Sequence, residues 1–140
     1  MSWKSRAVLG IALSGFLVLC VSGCGKGGNI DAVRTHAVPS KMYSEEDIDA
    51  AIGVVEEEFA ESWSGCTLTE IYYAGDEVSR DHQDWAARNH ADEVLVLLSS
   101  FDVDASGGNG SLNPNSTYDD WNWILVRTGG GPWQEVDHGY

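Results

Sequence analysis

Asp102-x-Asp104-x-Ser106-Gly107 is the stretch of this chain whose residue types and spacing come closest to a metal site. Oxygen ligands at alternate positions of a loop converge on a hard cation, and a glycine then permits a sharp turn, as in the first half of an EF-hand calcium loop. The second half departs from that pattern. Counted from Asp102, the position that normally packs an aliphatic side chain is Asn109, and the position that needs a bidentate glutamate is Asn113. The residues before the loop read as a strand, whereas an EF-hand needs a helix there. Two readings stay open. One is a looser calcium loop using Asp102, Asp104, Ser106 and Asn109, with Asn113 or Asn115 added. The other is a polar hairpin loop, rich in Asp, Asn and Gly because those residues turn well. Calcium is the cofactor the sequence suggests.

Other constellations are weaker. His82 and His90 are too far apart to ligate from adjacent helical turns. His138 adjoins Asp137, and neighbours in a strand point to opposite faces. The chain has no H-E-x-x-H, G-x-S-x-G or Walker pattern, so the reading leans away from an enzyme. Tyr118, Trp121, Trp123, Trp133 and Tyr140 gather near the C-terminus. Trp123 and Trp133 are expected in the core of a small sheet. Tyr118 and Trp121, beside the glycine-rich loop, are the candidates for an aromatic surface that binds a small ligand or another protein.

These residues need a scaffold, and composition limits it. The chain has 140 residues, 8 Lys and Arg against 22 Asp and Glu, and 43% hydrophobic residues. That is one domain, too apolar to be disordered. A formal charge of −14 excludes a nucleic-acid binder, which needs a basic face for phosphates.

The N-terminus reads as an export signal. Lys4 and Arg6 precede an uncharged apolar run, Ala7 to Val21, shorter than the ~20 residues of a membrane span. Val21-Ser22-Gly23-Cys24 follows directly and resembles the lipobox of bacterial lipoprotein signal peptides. The resemblance implies cleavage between Gly23 and Cys24 and a diacylglycerol on the Cys24 thiol. It also implies a place on the outer, extracytoplasmic face of the cell membrane. Cys20 is the poorer match, because Leu19 is too bulky before the cut. Loss of residues 1–23 removes two cations and no acid, leaving six basic residues against 22 acidic ones. Cys66 is then expected as a small core hydrophobe.

Residues 24–43 read as the lipidated cysteine and a flexible spacer, which would hold the domain ~20–25 Å from the bilayer. The domain itself is expected over residues 44–140. Ser44 and Asp47 form a capping-box pattern, with Tyr43 and Ile48 placed for a hydrophobic staple. Ile48, Ala51, Ile52, Val55, Phe59 and Trp63 then make one apolar stripe at helical spacing. A strand follows over Thr67–Tyr73, and a more polar helix over Glu77–Asn89. Glu93–Val103 reads as a central strand buried on much of both faces. Beyond the loop come a strand over Thr117–Arg127, a glycine-rich hairpin and a closing strand to Tyr140.

The order α-β-α-β-β-β predicts an α+β fold. One or two helices pack on one face of a four-stranded, mainly antiparallel curved sheet. This order resembles the smaller NTF2-like and cystatin-like proteins over residues 44–140. The segment FDVDASGGNGSLNPNSTYDDWNWILVR with its terminal W…GY is similar to small lipoproteins of Gram-positive gut bacteria. That resemblance implies location and fold, and no particular reaction. The function expected is a membrane-anchored binding or interaction module, with an unidentified protein or small ligand as partner. The alternatives are an NTF2-like enzyme with His82, Asp or Tyr in a helix–sheet cleft, and a calcium-binding surface domain.

Overall fold

Ser44 starts the long helix as its sequence predicts. Its Oγ accepts the Asp47 N–H at 3.1 Å, and Asp47 Oδ2 accepts the Ser44 N–H at 3.3 Å. This closed capping box satisfies two donors that a helix N-terminus otherwise leaves free. Helix α1 spans Glu45–Ser62, and Ala51, Ile52, Val55 and Phe59 are buried on its inner stripe. The computed structural model describes residues 27–140, so Gly23, Cys24 and the rest of the export signal lie outside the described residues.

Four strands follow: β1 Cys66–Tyr73, β2 Glu93–Val103, β3 Ser116–Arg127 and β4 Gln134–Gly139. They form one antiparallel sheet in the order β1-β2-β3-β4. The architecture is α+β, as expected. Each ladder slips once, at Leu68/Glu70, Ser99/Phe101 and Ile124/Leu125, and such bulges bend the strands.

The helix expected over Glu77–Asn89 is two short ones, α2 Asp76–Asp81 and α3 Asp84–Arg88. Between them the N–H groups of His82 and Gln83 reach back only three residues, to Ser79 and Arg80 at 3.2 and 3.3 Å. These helices do not share the face of α1. Leu95, Leu97, Trp123 and Leu125 point to α1, whereas Val94, Val96, Ile124 and Val126 meet Ala86, Val78 and Trp85. Alternation along β2 gives both faces apolar side chains, so both need cover. Ser79, fully buried, pins α2 by accepting the Val96 N–H at 3.1 Å.

Residues 29–43, expected as part of a flexible spacer, instead run along the outside of β1. Asn29 and Arg34 bridge in parallel to Thr67 and Glu70, through four backbone hydrogen bonds of 2.9 to 3.0 Å. Ile30, Val33, Val38 and Met42 pack on the main core. Asp76 anchors the end of the segment, accepting from Ser40 Oγ at 2.6 Å, Lys41 N at 2.8 Å and Tyr73 Oη at 2.8 Å. Those donors, Ser40 foremost, hold its carboxyl at about 2. Gly28 donates its N–H to Phe59 O at 2.9 Å and lies so close that a Cβ there would sit 2.5 Å from the Phe59 ring. The packed body therefore includes residues 28–43 as well as the expected domain from Ser44 on.

The start of α1 is tied to the sheet by Arg127. Its Nη1 donates to Asp47 Oδ1 at 2.8 Å, its Nε and Nη2 donate to Glu93, and its guanidinium lies 4.3 Å from the Trp133 ring. The Trp133 indole donates to Asp47 O at 3.0 Å, and Tyr43 Oη donates to Val94 O. The Arg127 side chain is only 12% exposed, against about a third for Asp47 and Glu93. Arg127→Met keeps the apolar stem and leaves two carboxylates facing each other. It should cost about 2 kcal/mol at neutral pH, less than the loss of one partner from a fully buried pair. The Arg127 hydrogen bond depresses the Asp47 carboxyl below 3.8, so its contribution is present above that value and lost as pH falls through the lowered one. Urea unfolding from pH 7 to pH 2 should show the deficit of the variant shrinking in acid.

Candidate functional site

The far end of α1 stops short of covering the sheet. Trp63 closes the helix, its N–H donating to Phe59 O at 3.1 Å, and Gly65 turns the chain with φ +74°. A Cβ at Gly65 would meet Ser106 Oγ at 2.3 Å and Asp104 Oδ1 at 2.8 Å, so this turn needs glycine for space and for backbone. The turn lays Trp63 across the sheet. Its ring stacks on Phe59 at 5.3 Å and touches Phe101, Trp123 and His138 at 5.1 to 5.2 Å and Trp121 at 5.9 Å. The rings continue outward. Trp121 meets Tyr140 at 5.1 Å, Tyr118 stacks on Phe101 at 5.1 Å, and Tyr140 is 79% exposed.

A cleft of about 380 Å³ opens where α1 ends. Its floor and walls are Ser62, Trp63, Ser64 and Cys66, the loop residues Gly108, Asn109, Ser111 and Leu112, and Trp121 and His138 of the sheet. The Trp121 indole N–H beside it is buried and has no acceptor, which costs about 1–3 kcal/mol. His138 Nδ1 lies 3.0 Å from Glu135 Oε1. That hydrogen bond raises the His138 pKa above 6.5; burial opposes the shift, and the charges of Glu135, Asp137 and Glu58 add to it. Cys66 is buried, and burial together with Asp104 pushes its thiol up, so it remains a thiol at neutral pH.

The sequence pairs His138 with no partner, because strict alternation puts residues three apart on opposite faces. The slip at Ile124/Leu125 changes this. Glu135 sits opposite Leu125, and His138 sits opposite Trp123, so both face α1. Trp121 and Tyr118 are brought together with that pair, as neighbours 5.5 Å apart in the aromatic row. His82 is not. It lies after α2 on the other face, with Nδ1 2.7 Å from Val78 O. His90 is exposed, at φ +54°. Trp123 and Trp133 are core residues, as expected.

The residues of the proposed calcium loop are engaged separately. Asp102 accepts from Thr117 Oγ1 across the strands at 2.6 Å, and Asp104 accepts from both the N–H and the hydroxyl of Ser106. Asn109 and Asn115 adopt φ of +67° and +52°, the left-handed turn conformation that Asn tolerates. The Asn113 N–H donates to Tyr118 Oη at 3.1 Å, and the Asn115 N–H to Asp104 O at 3.0 Å. Among the described residues, no three His, Cys, Asp or Glu side chains gather to hold a metal ion.

Comparison of the chain with protein-family models, with curated proteins and with solved structures finds no match in any of the three.

A raised His138 pKa in the folded state means that its pairing with Glu135 stabilises the protein below 6.5 and is lost as pH rises through the raised value. Glu135→Gln should lower the His138 titration midpoint, followed by the imidazole proton signals in NMR. It should also flatten that segment of the stability–pH curve. An unmoved midpoint would show that Glu135 does not set the charge of His138.

Proposed function

We propose that this protein is a lipid-anchored, extracytoplasmic binding module whose ligand contacts fall at the open end of α1. One observation carries the reading. The space between α1 and the sheet is filled by Val55, Phe59, Leu97 and Trp123, all fully buried, while the rings beyond it are left partly uncovered around a cleft. A filled interior leaves no deep chamber in which to enclose a reaction. An open cleft that sets aromatic rings beside the polar side chains of Ser62, Ser64, Asn109, Ser111 and His138 is a form that binding sites take. The residues of the cleft serve such a role without covalent chemistry. Trp63 and Trp121 offer flat apolar area, and His138 offers a charge that follows pH.

The anchor rests on Val21-Ser22-Gly23-Cys24. Cys24 is three residues before Gly27, a chain reach of at most ~11 Å. Since the segment after Gly27 is packed along β1, a lipid on Cys24 would hold the domain much closer to the bilayer than a free spacer would.

Two measurements test the reading. Fatty-acid labelling of the full chain in a bacterial host should give a labelled band that Cys24→Ala abolishes; labelling that survives the substitution defeats the anchor. A small-molecule fragment screen by NMR should give hits that perturb the Trp63 and Trp121 indole signals together with His138. Hits scattered elsewhere defeat the cleft.

A further inference from the structure

The β4 strand has a neighbour on one side only. Among the described residues β3 pairs with its inner edge and nothing pairs with its outer edge, whereas the outer edge of β1 is bridged by Asn29 and Arg34. The outward N–H and C=O groups of such a strand are a template for one more strand. Two cavities lie beside this edge on the α1 face. One, of about 290 Å³, is lined by Val54, Glu57, Glu58 and Glu61 of α1 with Trp133 and Glu135. The other is the aromatic cleft, which reaches β4 at His138.

We propose that β4 takes up an extended, basic segment of a partner protein as a fifth strand, with alternate side chains of that segment dropping into the two cavities. The inference rests on the binding-module reading and names its partner. Charge chooses the occupant. Three α1 glutamates and Glu135 surround the first cavity, and neither cavity is lined by a Lys or Arg. Arg127, the nearest guanidinium along the strands, is already committed to Asp47 and Glu93. A Lys or Arg of the incoming strand supplies the missing cation, and an aromatic or branched side chain fills the space beside Trp63 and Trp121. On the α1 face the two cavities meet β4 at Glu135 and at His138, which sit opposite Leu125 and Trp123, two residues apart on β3; at ~3.3 Å per residue that is about 7 Å, which matches alternate side chains, i and i+2, on one face of an added strand. A second copy of this chain is the poorer occupant, because its β4 edge, Gln134–Gly139, brings Glu135 and Asp137 and no Lys or Arg to the acidic cavity.

The probe is a seven-residue peptide of Thr and Val with Lys at its third and Phe at its fifth position, titrated into the full chain and followed by NMR. Amide exchange should slow at alternate residues of β4, and the His138 and indole signals should shift. Replacing the peptide Lys by Glu, or the peptide Phe by Gly, should each weaken binding at least tenfold, as should Glu57→Gln combined with Glu61→Gln in the protein. Equal binding of the Glu peptide overturns the proposal, as does binding without protection of β4. Protection of β4 that rises with protein concentration and no peptide assigns the edge to a second copy and also overturns it. If no peptide binds while fragments still perturb Trp63 and Trp121, the added strand fails and the cleft reading stands. If neither perturbs them, both fall.

Discussion

Arg127 is the interaction on which this fold most depends. The chain carries 22 acids and few cations, and the segments that must meet at the start of α1 each bring a carboxylate: Asp47 from the helix and Glu93 from β2. Without a cation between them, burying that end would bring two negative charges together. A guanidinium solves this where an ammonium would not. It donates in a fork to Glu93 and through a third nitrogen to Asp47, and its flat face stacks on Trp133. Asp47 thereby serves twice, as capping residue and as ion-pair partner. The position of α1 over the sheet follows from that. One end of the helix is clamped to β2, β3 and Trp133, and the other is left to finish early over β3 and β4.

That asymmetry makes the cleft. A longer helix would have covered Trp121 and His138 as it covers Trp123. Gly65 ends it, and the close approach of Asp104 and Ser106 to Gly65 ties the turn to the acidic loop. The Asp, Asn and Gly pattern of that loop, which in the sequence suggests calcium, is engaged in holding turns: Asp104 caps Ser106, Asn115 bonds back to Asp104, and Asn113 meets Tyr118. Through Tyr118 and Gly65 the loop supports the aromatic row from both sides.

The parts legible in the sequence are those set by local chemistry. The capping box, the apolar stripe of α1 and the strand at Glu93–Val103 each carry their signal within a few residues. The second face of the sheet was half legible. Val94 and Val96 alternate with Leu95 and Leu97, which demands cover on both sides, yet the polar residues of Glu77–Asn89 do not say which side they take. Residues 29–43 gave no signal because an extended edge segment needs only isolated apolar contacts, from Ile30, Val33, Val38 and Met42, and backbone bonds that any residue makes. The Glu135–His138 pair was hidden for a third reason. A bulge reverses the parity of a strand, and nothing in Gln134–Gly139 marks where it falls.

The packing of the N-terminal segment also changes what the acidic surface means. In the lipoprotein reading, a long spacer would let the domain drift clear of the anionic lipids, and its charge would serve solubility alone. With residues 27 and 28 held against Phe59 and Ala60, an anchor on Cys24 would attach close to the last turn of α1. The last two turns of α1 carry Glu57, Glu58 and Glu61. The anchor would then draw toward the bilayer a helix end that the leaflet repels, at a cost that falls with salt over a Debye length of ~8 Å. Neutralising those glutamates would relieve the conflict. A cationic group seated between α1 and β4 would do so at the place where the sheet edge is open and the aromatic rings are exposed, so charge, edge and cleft all favour occupation of the same end of the molecule.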